Sequence, residues 1–174
     1  MEYAAAYSSP LGEILLAADE VGLTGLWFAG AKYAPQDLAW ENGAGENDPL
    51  IQAKRWLDVY FSGREPDFTP PLHMVGTPFQ LAVWELLRGI PSGGTTTYGA
   101  LAVQLARQRG LERMSAQAVG GAVGHNKISL IVPCHRVVGA DGSLTGYAGG
   151  VDKKTALLRL EGAYPTLDTK IPSW

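Results

Sequence analysis

Cysteine is almost absent from this 174-residue chain: Cys134 is the only one. One thiol excludes an intrachain disulfide and any multi-cysteine zinc site. It also makes a reducing, cytoplasmic compartment the natural setting. No apolar run reaches membrane-spanning length, so no membrane partner is expected. Met1 to Ser9 has no basic start followed by an apolar segment, so no secretory signal is expected either. Internal repeats are lacking. What remains is a chain of 46% hydrophobic residues, enough to build a core, and long enough for one large domain or two small ones.

The formal net charge of −3 divides unevenly. Up to Met74 there are four basic and eleven acidic residues; from Val75 onward there are ten basic and six acidic. The first part is thus at −7 and the second at +4. The second part can face a polyanion and the first cannot.

The first part reads as strands. Tyr3 to Tyr7, Glu13 to Ala18 and Leu23 to Phe28 are short and apolar or alternating. Turns at 9–12 and 19–22 make them an antiparallel meander. Residues 29–47 are polar and glycine-rich and read as a loop. Asp48-Pro49 reads as an N-cap and first helical proline, opening a helix to about Phe61. Its apolar face is Leu50, Ala53, Leu57, Tyr60 and Phe61. Glu65 to Pro71 carries three prolines and reads as a linker. The expected domains are residues 1–70 and 75–163, with a tail at 164–174.

The second part reads as helices. Thr77-Pro78-Phe79-Gln80 is a capping box, and its helix is expected to bury Phe79, Val83, Trp84 and Leu87. Thr97 caps a helix from Tyr98 to about Gln108, and Ser115 caps another through Gly124. Helix, short turn, helix is the arrangement of a helix-turn-helix motif. The second of these helices is nearly bare: Ala116, Ala118, Gly120, Gly121, Ala122 and Gly124. Each glycine costs about 1 kcal/mol of helix stability relative to alanine. Two readings stand: tight helix–helix packing, or close approach of the helix backbone to a DNA minor groove. A major-groove reader needs long polar side chains, and Gln117 is nearly alone. A closing helix spans Val151 to Glu161. Ala156, Leu157 and Leu160 are its apolar residues, and Lys153, Lys154 and Arg159 are expected to face water or phosphates.

Between these helices, Leu130 to Val132 reads as a short buried strand that Pro133 ends. Cys134 then stands at a strand end beside His135 and Arg136, whose charge would favour the reactive thiolate. A buried structural cysteine is the competing reading.

The motifs Gly76-Thr77-Pro78-Phe79-Gln80, Tyr98-Gly99-Ala100-Leu101-Ala102, Ala118-Val119-Gly120-Gly121-Ala122, Asn126, Pro133-Cys134-His135-Arg136-Val137-Val138, Gly146-Tyr147-Ala148-Gly149-Gly150 and Glu161 decide the matter. In this order and spacing they resemble the O6-alkylguanine-DNA alkyltransferases, or methylated-DNA–protein-cysteine methyltransferases, across about half the chain. The resemblance implies an α/β (α+β) architecture. Its first domain is a ribonuclease-H-like antiparallel sheet with a helix, and its second a helix-turn-helix (winged-helix-like) domain carrying the reactive cysteine. It implies DNA repair by irreversible, single-turnover transfer of a methyl or larger alkyl group from O6 of guanine to Cys134.

The same resemblance assigns the roles. His135 acts as base through a bridging water, because neighbours on an extended strand point to opposite faces. Glu161 orients His135, Asn126 braces the cysteine-bearing turn, and the Tyr98 hydroxyl donates to guanine N3. Backbone carbonyls at Cys134 and Val137 and the Ala148 N–H meet the base, and Tyr147 and Val123 line the pocket. Ser115, Ala116, Gln117, Ala118, Gly120, Lys127 and Arg136 are the expected DNA contacts. The partner is double-stranded DNA bound through its minor groove with the damaged nucleotide flipped out, and the protein acts as a monomer. The N-terminal part has His73 and no cysteine, so no metal is expected, and no cofactor. Two departures from the family pattern stand out. Gln117 occupies a position where arginine is frequent, which lowers the expected DNA affinity. Lys127 follows the asparagine where proline is frequent, and adds a positive charge.

Overall fold

The computed structural model describes residues 2–35, 46–144 and 147–163. They form two compact units, one of the described residues up to Val75 with 127–131, the other of 76–126 with the described residues from Val132 onward.

The first unit is built on the meander β1 (Tyr3–Ser9), β2 (Gly12–Ala18) and β3 (Leu23–Phe28), in the antiparallel order β1-β2-β3. Ser9 pairs with Gly12 across a two-residue loop, and Gly12 takes φ +115°, a conformation that costs glycine little. Ile14 to Ala18 of the central strand are all buried. Trp27 folds its indole over Gly25, where a Cβ would lie 1.9 Å from the ring. At the next turn the Asp19 carboxylate accepts from the Val21 and Gly22 amides and from His73 Nδ1 at 2.5 Å.

The exposed edge of β3 is covered by two later pieces of chain. Leu23 N–H donates to the Pro71 carbonyl and His73 N–H to Leu23. Further along, Leu26 N–H donates to the Lys127 carbonyl and Ser129 N–H to Leu26. The proline-rich stretch expected as a linker is therefore continuous with a paired edge segment, and 127–131 belongs to this unit too.

Helix α1 (Asp48–Phe61) starts one residue earlier than its sequence suggests. Asn47, not Asp48, is the N-cap, and its side chain accepts from Leu50 N–H. Asp48 sits in the first turn, where a carboxylate favours the helix dipole. Trp56 joins the buried face, whereas Phe61 is only half-buried. The expected loop runs partly through residues 36–45, outside the described residues.

The second unit holds α2 (Pro78–Arg88), β4 (Thr96–Thr97), α3 (Tyr98–Gln108), α4 (Ala116–Gly124), β5 (Val137–Val138) and α5 (Val151–Leu160). The capping box on α2 is formed in both directions, Thr77 to Gln80 and back. Trp84 Nε1 donates to the Ala122 carbonyl at 2.8 Å in the core, fixing α2 to α4. Phe79 is half-buried rather than core, with the Arg109 guanidinium 5.4 Å above its ring. Thr97 and Ser115 cap α3 and α4 as their sequences require.

Leu130 to Val132 is not a strand. Apart from the single bridge of Ile128 to Leu26, residues 127–132 form an irregular turn. Leu130 takes φ +69°, a left-handed conformation unusual for a branched residue. A buried irregular turn and a buried strand have the same apolar composition, which is why the two are confused in sequence.

Candidate active site

Local sequence explains how Cys134 is presented. Pro133 has φ −82° and ψ 68°, an inverse γ-turn, and Cys134 N–H closes it onto the Val132 carbonyl at 2.8 Å. Asn126, itself buried, donates from Nδ2 to that same carbonyl at 2.7 Å. The expected bracing asparagine is therefore placed against the turn. Cys134 to Arg136 then make one 3₁₀ turn. Side chains one residue apart on such a turn diverge, as they would on a strand, but from a different geometry.

The short strand β5 follows at once. It pairs in parallel with β4, Thr96 to Val137 and Thr97 to Val138. Thr97 is the cap of α3 and Tyr98 its first residue. Two residues of sheet thus bring the tyrosine to the cysteine turn. The Tyr98 ring lies against Gly120 of α4, where a Cβ would be 3.6 Å from Cδ1. Burial and the Cys134 charge both raise the Tyr98 hydroxyl above its ordinary pKa, so it stays a donor.

Behind the cysteine is a carboxylate–imidazole pair. His135 is fully buried and its Nε2 lies 2.6 Å from Glu161 Oε2. With the carboxylate at Nε2, the other ring nitrogen, Nδ1, is the basic one. Nδ1 is buried and has no protein hydrogen-bond partner among the described residues. Burial lowers the His135 pKa most, the Arg136 and Lys154 charges lower it further, and Glu161 opposes them. The imidazole is neutral at pH 7. Burial alone would raise the Glu161 carboxyl, but hydrogen bonds from His135 and Arg136 and the Arg136 charge outweigh it and hold the group at about 2.

Arg136, expected among the DNA contacts, is largely buried and engaged by neighbours within its own unit. Its Nε donates to Glu161 Oε1 at 2.7 Å and its Nη1 to the Ile90 carbonyl at 2.6 Å. Only 11% of its side chain is exposed. The guanidinium is spent on holding the carboxylate.

The residue that sequence reasoning missed is Lys154. Expected at the surface, it is 0% exposed, with Nζ 6.0 Å from the centre of the Tyr98 ring. Burial pushes its pKa down to about 8, and the charge of Cys134 pushes back. A signal was present: Lys154, Leu157, Leu158 and Glu161 follow the i, i+3, i+4, i+7 spacing of one helical face.

Of the remaining expected residues, Val123 and Val137 are buried, while Tyr147 and Ala148 are half-buried. Gly146 lies outside the described residues. On α4, Ala116, Gln117, Ala118 and Gly121 are exposed, as are Ser115 and Lys127, and Gly120 is half-buried. Lys127 Nζ donates to the Val75 carbonyl at 3.1 Å. A Cβ at Gly121 or Gly124 would meet nothing within 4 Å, so close packing does not account for those two glycines. Cys134 itself retains 7% exposure. Among the described residues no cluster of three or more histidine, cysteine or acidic side chains is arranged to hold a metal, and no helix is long and apolar enough to cross a membrane.

Comparison with known proteins places both parts of the chain. Residues 3–74 match the ribonuclease-like domain of 6-O-methylguanine DNA methyltransferase, and residues 78–163 match its DNA binding domain. A methylated-DNA–protein-cysteine methyltransferase of Methanosarcina acetivorans is 44% identical over 163 residues, covering 92% of this chain and 99% of that one. The Mycobacterium tuberculosis protein of the same name is 42% identical over 153 residues, 88% of each chain. Among solved structures, the M. tuberculosis O6-methylguanine methyltransferase superposes with a TM-score of 0.78 at 40% identity, covering 97% of this chain and 98% of that one. The M. tuberculosis OGT in complex with DNA does so with 0.78 at 38% identity, covering 95% and 96%. Both domain models and near full-length relatives agree, and the chain belongs to the 6-O-methylguanine DNA methyltransferase family.

Proposed function

We propose that this protein repairs DNA by moving a methyl or larger alkyl group from O6 of guanine to Cys134, once per molecule. The observation that carries the reading is a slightly exposed thiol backed by a buried, neutral imidazole with a carboxylate behind it. An activated nucleophile needs a base held by a third group. His135 Nδ1 takes the thiol proton through a bridging water. The thiolate attacks the alkyl carbon, an S–C bond forms, and the C–O6 bond breaks. Its electron pair stays with the purine, which takes up one proton to leave as guanine. The Tyr98 hydroxyl donates to N3 and draws the developing charge. The thioether has no good leaving group, so the protein is consumed.

The substrate base is stacked inside a duplex and must be rotated out. The exposed face of α4 supports minor-groove approach, because open glycines and alanines let a backbone come close. Gln117 fills the gap and hydrogen-bonds to the orphaned cytosine; Ser115, Ala116, Ala118, Gly120 and Lys127 line the approach. Val137, Ala148, Tyr147 and Val123 form the base pocket. No cofactor or metal takes part. The protein acts as a monomer, and a reducing cytoplasm suits its one free thiol.

The test is intact-mass measurement after incubation with a duplex containing O6-methylguanine. The expected result is one methyl group per chain and no more with excess substrate. Cys134→Ala should gain none. Tight binding without mass gain would convert the reading to a damage-binding protein.

A further inference from the structure

Folding decides which positive charges of the second unit can meet a partner. Arg136 is largely buried against Glu161, and Lys154 is buried. Arg88 is paired with Glu85 at 3.4 Å. Lys153 and Arg159 are half-buried on α5. Among the described residues of this unit, the exposed cations that no carboxylate holds are Arg107, Arg109 and Arg113. They fall within seven residues, at the end of α3 and in the turn before α4.

The backbone under them is ordered. Gly110 takes φ +67°; its N–H donates to the Arg107 carbonyl at 3.2 Å, and Leu111 N–H donates to Ala106 at 2.8 Å. These are the two bonds of a Schellman motif. Arg109 is the C-cap of α3, and its guanidinium stands 5.4 Å above the Phe79 ring of α2. Arg113 lies two residues before Ser115, the N-cap of α4. Helix electrostatics explains part of this pattern. A cation is favoured at a helix C-terminus, where Arg107 and Arg109 are. Arg113 approaches the opposite pole of α4, where a cation is disfavoured. Glu112 is the one carboxylate in the run, so repulsion among three guanidinium groups is not relieved from within it.

We propose, on the reading that α4 faces DNA, that Arg107, Arg109 and Arg113 form a phosphate-binding shoulder that neutralises the duplex backbone beside the groove α4 enters. The turn before α4 then supplies the cationic attraction that Gln117 lacks. An arginine fork fits phosphate oxygens. Backbone contacts position a protein without reading sequence, so the shoulder holds damaged and undamaged duplex alike.

The test is fluorescence anisotropy of an undamaged duplex with the full chain across a salt series. Arg107→Gln, Arg109→Gln and Arg113→Gln should each flatten the slope of log Kd against log salt by about 0.9, and the triple variant should bind about 10²-fold more weakly at low salt. Glu112→Gln should tighten binding severalfold. Arg88→Gln removes the same charge from the same unit and should leave affinity and slope near those of the parent. A triple variant that melts cooperatively yet keeps the parent's affinity and slope overturns the proposal. An equal loss from Arg88→Gln also overturns it, because net charge alone would then be the cause. A parent chain that binds no duplex overturns both this proposal and the repair reading. Arginine-dependent binding by a chain that takes no methyl group from O6-methylguanine would sink the repair reading and leave the shoulder standing. Methyl transfer with arginine-independent binding would sink the shoulder alone.

Discussion

At the scale of single residues, the proposed chemistry turns on where one proton resides. Arg136 lowers the pKa of His135, and Glu161 raises it. Arg136→Met should therefore let more His135 become imidazolium near neutrality. The rate of alkyl transfer should fall at pH 6–7 and recover towards pH 8–9, and a pH–rate series would show the acid limb moving upward. Glu161→Gln acts in the other direction. It removes the charge that makes the imidazole basic, and a loss of about 10²-fold or more at all pH values is expected for a general-base assembly. Asn126→Ala should free the turn that presents the sulfur. Losing a buried hydrogen bond to the Val132 carbonyl costs about 1–3 kcal/mol, measurable by urea unfolding.

At the scale of elements, what was legible in sequence and what was not divides by range. Thr77, Thr97 and Ser115 were read as caps, and each accepts the expected backbone N–H three residues on. Capping is settled within four residues, so sequence carries it at these three helices; at α1 two adjacent capping residues compete, and Asn47 takes the place expected for Asp48. Leu130 to Val132 differs from the strand expected because the pairing of this stretch is made just before it, by Lys127 and Ser129 with Leu26 of β3, a hundred residues upstream. Lys154 is expected at the surface because a lysine is ordinarily solvated, and the Tyr98 ring beside its Nζ is 56 residues away in sequence. The bonds that hold Arg136 are equally remote from it in sequence, its partners being Ile90 and Glu161. Helix α4 offers a prediction of its own. Gly121 is exposed with open space at its Cβ position, so Gly121→Ala should stabilise the protein by about 1 kcal/mol in thermal unfolding. Gly121→Leu should keep the fold and weaken DNA binding, because it adds bulk to the approaching face. Equal affinity for the leucine variant, measured by fluorescence anisotropy, would argue against α4 as the contact.

For the whole molecule, charge placement governs both binding and acid stability. The basic excess lies from Val75 onward, so DNA affinity should fall with salt in proportion to the phosphates neutralised. Gln117→Arg should tighten binding and steepen that dependence by about one counterion. On the acid side, two buried groups act together. The lowered His135 pKa means the unfolded chain binds a proton first, so stability falls as pH drops below about 6.5. Glu161, held at about 2 against an ordinary value of 4.5, adds a loss on the order of 3 kcal/mol as pH falls through that window. Urea midpoints taken from pH 7 to pH 3 should decline in these two steps, and Glu161→Gln should remove the lower one.

The strap of residues 127–131 carries a last implication, for inheritance more than for energetics. Because the chain leaves the first unit at Val75 and re-enters it at Lys127, no single crossover between two genes can transplant one unit whole. A chimera joined at Gly76 would bring a foreign strap to the edge of β3, where Leu26 must give and take one hydrogen bond each. Recombination within such a lineage has to match that five-residue graft or forfeit the sheet edge it completes.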